Sequence, residues 1–291
     1  MITRRYPRED DILNGYIMAG FSTVNLQDND QYAFGGDSWS AKTNVPSPSR
    51  IDPKGQRIGL SGYLYGGRST VSLLDTEQYT PSSDSWVGKT NMPTPAREAV
   101  GVVTLNSLGY IFAGRDNASG NLQDTDEFDP VGNTWASKTD CPAPARSFGT
   151  ASEIGNIGYL LGGQDGAAIQ DNDEYDPDTW TSRTNMLQVV ENLGSTTIDD
   201  KIYTFGGAAS GVKKVTVDEY VFDSWTNKTD LPSPARVFPS GFTIGSLGYA
   251  TGGIGASNLQ DHDEYNRAID SWISKTDIPT PARRRHGGMS I

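Results

Sequence analysis

The 291-residue sequence predicts an all-β fold: a six-bladed propeller in which each blade is a four-stranded antiparallel sheet. Two markers in phase carry the prediction. The six tryptophans, Trp39, Trp86, Trp135, Trp180, Trp225 and Trp272, are spaced by 47, 49, 45, 45 and 47 residues. An apolar run ending in small residues recurs at the same period, as GYIMAG at 15, GYLYGG at 62, GYIFAG at 109, GYLLGG at 158, IYTFGG at 202 and GYATGG at 248. A third observation selects the architecture. Each unit holds four strand-sized segments and no 3.6-residue apolar periodicity, which points to blades of a propeller and away from a helical repeat.

The unit is clearest between Gly109 and Arg146. Its first strand follows a Pro-rich step, as in Ser147 to Ile154; its second is the GYxxGG run; its third alternates acids and aromatics (LQDTDEF); its fourth starts near the Trp. Residues 284 to 291 align with that first strand but have no second strand after them, whereas GYIMAG has no first strand before it. The C-terminus is therefore expected to complete blade 1, pairing residues 286 to 290 with 15 to 20 and leaving no unpaired inner edge. One domain spans 12–291, and residues 1–11 form an N-terminal arm. Three residues after every Trp stands a cation, Lys42, Lys89, Lys138, Arg183, Lys228 or Lys275, which reads as protection of the outer edge strand against pairing with another chain.

These residues resemble the kelch family over about 12 to 291: an Arg opening the first strand, Tyr-x-x-Gly-Gly ending the second, an acidic-x-Tyr third strand and a Trp on the fourth. The resemblance implies the six-bladed propeller and places partner binding on the face of the second-to-third and fourth-to-first loops. Ala19-Gly20 and Ala113-Gly114 depart from the Gly pair, so those strand ends are expected to sit differently.

Composition narrows the chemistry. A formal charge of −12 argues against a nucleic-acid partner. No stretch is apolar enough for a membrane span, and MITRRYPRED has no apolar h-region, so the expectation is a cytoplasmic or virion setting without a Sec signal peptide. One cysteine, Cys141, excludes an internal disulfide framework; it reads as an apolar residue where its siblings are Val45, Met92, Leu231 and Ile278. Only His262 and His286 are present, too few for a three-His zinc site, and nothing places Cys141 beside the His and Tyr ligands that galactose oxidase, a kelch-type enzyme, uses for copper. Paired carboxylates of glycosidase type lack specificity among 36 acids, and each Gly-Gly leads into a loop rather than a phosphate-cradling helix. No cofactor and no metal is expected.

The Asp-x-Asp pairs of the third strands lack the loop and distal Glu of a calcium site. The position two before the aromatic is acidic in all six blades and is assigned to packing. The position four before it is Asp28, Asp75, Asp124, Asp171, Thr216 and Asp261, and the Arg opening the first strand is Arg283, Arg50, Arg97, Arg146, Glu191 and Arg236 for blades 1 to 6. Both break in blade 5. The reading is one structural ion pair per blade, Arg283–Asp28, Arg50–Asp75, Arg97–Asp124, Arg146–Asp171 and Arg236–Asp261, abandoned in blade 5.

Candidate binding residues fall on the variable loops: Arg115, Asp116 and Asn117 in blade 3, Gln164 and Asp165 in blade 4, and Glu191, Lys213 and Lys214 in the divergent blade 5. With no coherent catalytic set, the sequence suggests a non-enzymatic protein-binding or structural module of a larger assembly, such as a phage virion component. The alternative is a glycan-binding lectin, or an enzyme resembling the kelch-type sialic acid mutarotases.

Overall fold

The structure, a computed structural model, describes residues 14–291. The expected N-terminal arm at 1–11 lies outside the described residues. Six four-stranded antiparallel sheets form the blades. Blade 3 shows the plan, with strands Gly101–Leu105, Leu108–Phe112, Thr125–Asp129 and Thr134–Lys138 running from the axis outward. Gly287–Ser290 is the inner strand of blade 1; it pairs with Gly15–Met18 in the register Gly15↔Ser290 to Met18↔Gly287, so the C-terminal strand closes the ring.

The repeat's aromatics explain its packing. On the outer pair of every blade the Trp lies directly across from the third-strand aromatic, as in Phe128↔Trp135 and Tyr175↔Trp180, with ring centroids 4.9 Å apart in both. No blade buries its faces alone. The core is divided into six wedges between neighbouring blades, such as Val103, Tyr110 and Phe112 of blade 3 against Leu160 and Tyr175 of blade 4. Each wedge is clamped at its rim. Trp135 Nε1 donates to the Thr90 carbonyl of the preceding blade at 2.9 Å, and the Thr90 N–H donates back to Asn133 at 3.0 Å. The same clamp joins blade 1 to blade 6 through Trp39 and the Thr276 carbonyl, with Thr276 N–H donating to Asp37.

Three expectations are corrected. The first strands are shorter than read: Ser147 and Phe148 precede Thr150–Ile154 because Phe148 turns the chain with φ 56°. Ala19 and Ala113 do not sit differently, for their φ of 58° and 54° match the 50° to 66° of Gly66, Gly162, Gly206 and Gly252. The cations after the Trp do more than guard an edge. Lys138, Arg183, Lys228 and Lys275 reach back to Glu127, Glu174, Glu219 and Glu264 on the third strand, each of which also accepts a Tyr hydroxyl from the second strand. Blades 1 and 2 have Gln31 and Gln78 there instead, without such an ion pair. Among the described residues no helix is long and apolar enough to cross a membrane.

Candidate functional site

The Pro-rich step sets up the axial face. Its Arg turns inward and is fully buried, bridging its own loop to the third strand. Arg50 lies 3.0 Å from Asp75; Arg283 lies 3.4 Å from Asp28 and 3.0 Å from Asp30; Arg236 lies 3.7 Å from Asp261 and 3.1 Å from Asp263. Arg146 lies 3.5 Å from Asp171 and contacts Asp173. In blade 3 the reading fails for the carboxylate: Arg97 pairs with Asp126, and Asp124 receives it only at its backbone carbonyl, 3.3 Å away. In four blades, then, the acid two before the aromatic, assigned to packing, is a buried partner of the Arg. The two acids of each Asp-x-Asp pair share a strand face, and in blades 1, 4 and 6 the guanidinium reaches both. The arginines and the inner acids are buried, whereas Asp28, Asp75, Asp171 and Asp261 are about one third exposed.

Blade 5 requires a second correction. Gly163 N–H donates to the Val190 carbonyl as Gly114 does to that of Arg146, so Val190, not Glu191, stands at the Arg position. The blade 4–5 connection is one residue shorter, which a constant count from the Trp hides. Asp218 is left buried without an Arg and takes a 2.6 Å hydrogen bond from Asn227 instead; burial lifts its carboxyl to about 6. Glu191 is the counterpart of Glu98, Ser147 and Arg284, bridging Ala208 at the mouth.

Two residues after each Arg position the chain adopts a left-handed turn: Asp52, Ala99, Phe148, Asn192, Phe238 and Arg285 have φ between 52° and 58°. Their N–H groups point around the axis. Phe148 donates to the Ala99 carbonyl, Asn192 to Phe148 and Phe238 to Asn192, at 3.2, 2.7 and 2.8 Å, and Asp52 and Ala99 continue the ring. These turns encircle the loop-face end of the propeller axis, with five of the six links around it made by such hydrogen bonds. Above it Arg285 lies over the rings of Phe238 and Phe148, 4.1 and 5.5 Å from their centroids, and pairs with buried Asp52 at 2.7 Å. A cavity of about 30 Å³ is lined by these turns together with Lys54 and His286.

The surrounding rim is cationic on the side of blades 1 to 3. Arg68 and Arg115 reach the buried Glu98 at 2.8 and 3.7 Å, Arg115 covers Phe148, and Arg284 covers Phe21 at 4.8 Å. Four guanidiniums, Arg68, Arg115, Arg284 and Arg285, thus share the mouth with three carboxylates, Asp52, Glu98 and Glu191. Val24, Val71, Leu187, Val189 and Val212 are exposed on the loops of the same face.

Of the predicted binding residues, Arg115, Gln164 and Glu191 meet at this mouth, each bridging the start of its own blade. The others serve loop structure. Asp116 accepts from Ser119, which holds its carboxyl below the usual range, Asn117 N–H donates to Ser72, Asp165 N–H closes a turn on Ala167, and Lys213 Nζ donates to the Gly255 carbonyl of blade 6. Lys214 lies in the strand-to-strand connection through its backbone. Sequence reading missed Arg68, Arg284, Arg285, Asp52, Phe148 and Phe238. A signal for three of them was present, since Arg68, like Arg115, follows the small-residue pair directly and Arg284 and Arg285 continue a run from Arg283.

The groups that often perform chemistry at neutral pH are withdrawn. Burial pushes His262 and His286 down to about 3 and the Cys141 thiol up to about 12. Among the described residues no three His, Cys, Asp or Glu side chains converge as metal ligands.

No protein-family model and no curated protein sequence matches the chain. Among solved structures, one titled "Structure of YjhT" superposes with a TM-score of 0.74 at 13% identity, covering 90% of this chain and 97% of that chain. At that identity the likeness is one of fold, and it places the chain among six-bladed β-propellers.

Proposed function

We propose that this propeller is a kelch-type, non-enzymatic recognition module, one component of a larger assembly, and that its loop face docks an acidic protein segment. The observation that carries this reading is the mouth itself: a guanidinium cluster on a chain of net charge −12, with exposed valines on loops of the same face. Guanidinium forks held by Asp52, Glu98 and aromatic faces are oriented in advance to receive carboxylates, and the valines suit apolar residues beside the acids. An acidic sugar offers the same carboxylate. The protein segment is favoured because the ring faces of Phe21, Phe148 and Phe238, on which a sugar would stack, are covered by Arg284, Arg115 and Arg285.

Selection from a displayed peptide library tests this. Enriched peptides are expected to carry two or more acids beside apolar residues, to bind less tightly as salt rises, and to lose binding with Arg115→Ala. Enrichment indifferent to Arg115→Ala and to Arg68→Ala would overturn the reading, as would binding confined to acidic glycans on an array.

A further inference from the structure

At the mouth, the guanidinium of Arg284 lacks a carboxylate. It forms no ion pair among the described residues; its Nη1 donates to Asn258 Oδ1 at 3.0 Å, and its carbon lies over the Phe21 ring, 4.8 Å from the centroid. Burial and the charge of neighbouring Arg285 lower its pKa, as expected of a cation short of counter-charge. Arg115 is held loosely as well, since Arg68 takes Glu98 Oε2 at 2.8 Å while Arg115 stands 3.7 Å from Oε1. Apolar side chains stand beside these cations. Val24 follows Phe21, and Val71 follows Arg68, by three residues, and both valines are exposed. Asn25 Nδ2, 3.5 Å from the Arg68 and Ser69 carbonyls, holds the two loops side by side.

The chain carries a matching segment itself. Residues 9–13 read Glu-Asp-Asp-Ile-Leu, three acids followed by two apolar residues. They lead into Asn14, the start of the second strand of blade 1, whose carbonyl accepts the Ile291 N–H where the other blades have the turn between first and second strands. Asn14 is therefore on the hairpin face, opposite the mouth. Seven residues of strand and turn separate it from Phe21, roughly 20 Å at about 3.3 Å per residue. Glu9, five residues before Asn14, lies within about 18 Å of it even at full extension. The straight line back to the mouth is filled by the core beside blade 1, including Tyr16, Met18 and Leu64. The way round outside passes the fourth strand, Ser38–Ala41, and is longer by at least two strand spacings of about 4.8 Å each way. The acids thus fall short of the mouth of their own propeller, whereas a second copy can bring its mouth to them.

We infer that the loop face receives residues 9–13 of a second copy, with Glu9, Asp10 and Asp11 at the guanidiniums of Arg284, Arg115 and Arg68 and with Ile12 and Leu13 against Val24 and Val71. On the reading of that face as a dock for acidic segments, this names the occupant. Segment and mouth lie on opposite faces, so the contact is head-to-tail. Each copy can give one segment and receive another, and copies stack in series unless the rotation closes a ring.

Sedimentation velocity of the full chain at about 1 to 200 μM, in about 0.15 M salt to screen repulsion between copies of net charge −12, tests this. The mean mass should rise with concentration. Asp10→Lys with Asp11→Lys should leave a monomer, and so should Arg284→Ala with Arg115→Ala. Mixed in equal amounts, the two variants should form a dimer and nothing larger, since one keeps the mouth and the other keeps the segment. Should the double arginine variant fail to fold, Arg284→Ala alone, which breaks no ion pair, should weaken association by about tenfold or more. A monomer at every concentration would overturn the assignment, as would association that the Asp10 and Asp11 changes leave intact, or a mixture that stays monomeric. Peptide enrichment that depends on Arg115, found together with a monomeric full chain, would remove the second copy as occupant and leave the docking face standing.

Discussion

Asp173 in blade 4 and Asp218 in blade 5 occupy one position of the repeat, and the same substitution should move stability in opposite directions at the two. Asp218 is 4% exposed and lacks the arginine, and burial lifts its carboxyl from 3.8 to about 6. The folded protein thus holds a proton between pH 4 and 6 that the unfolded chain has released. Stability falls as pH rises through that window, and above it the full penalty, about 3 kcal/mol for roughly two pKa units, is present. Asp218→Asn removes the charge and keeps an acceptor for Asn227 Nδ2. Its new amide N–H groups need partners, a cost of about 1–2 kcal/mol. The net expectation is a gain of about 1–2 kcal/mol at pH 7.5, absent at pH 4. Asp173→Asn instead strips the carboxylate from buried Arg146 and from Ser182 Oγ, 2.8 Å away, and should cost about 3–5 kcal/mol at pH 7.5. Urea unfolding of the three proteins at both pH values measures this. A loss of equal size in both variants at pH 7.5 would refute the claim that the arginine decides the sign.

Removing residues 287–291 should expose the edge of Gly15–Met18 and delete buried Met289. A fall in Tm of at least about 5 °C, or aggregation, is expected from the lost core side chain alone; a truncated protein melting with the full chain would count against closure. Gly162→Ala should cost about 1 kcal/mol or more by thermal melting, since the position has φ 57° and a Cβ would lie 2.6 Å from the Val190 carbonyl. Ala113→Gly, where the repeat already accommodates a methyl at φ 54°, should change stability by no more than about 0.5 kcal/mol, the relief of a left-handed turn offsetting a lost buried methyl.

By itself the sequence determined the repeat, the number of blades and the closing strand, because Trp spacing and GYxxGG runs record local structure that each unit must form in the same way. It also exposed blade 5 as divergent. Tertiary structure alone decided which acid each arginine meets, because two carboxylates on one strand face are equivalent in a sequence and are separated only by how far the guanidinium reaches. It placed Val190 at the arginine's position, since backbone hydrogen bonds, and not residue counts, define equivalence across a shortened loop. It also gathered the mouth: Arg68, Glu98, Arg115, Phe148 and Arg285 come from four blades and meet because the ring brings every first-strand turn to one axis.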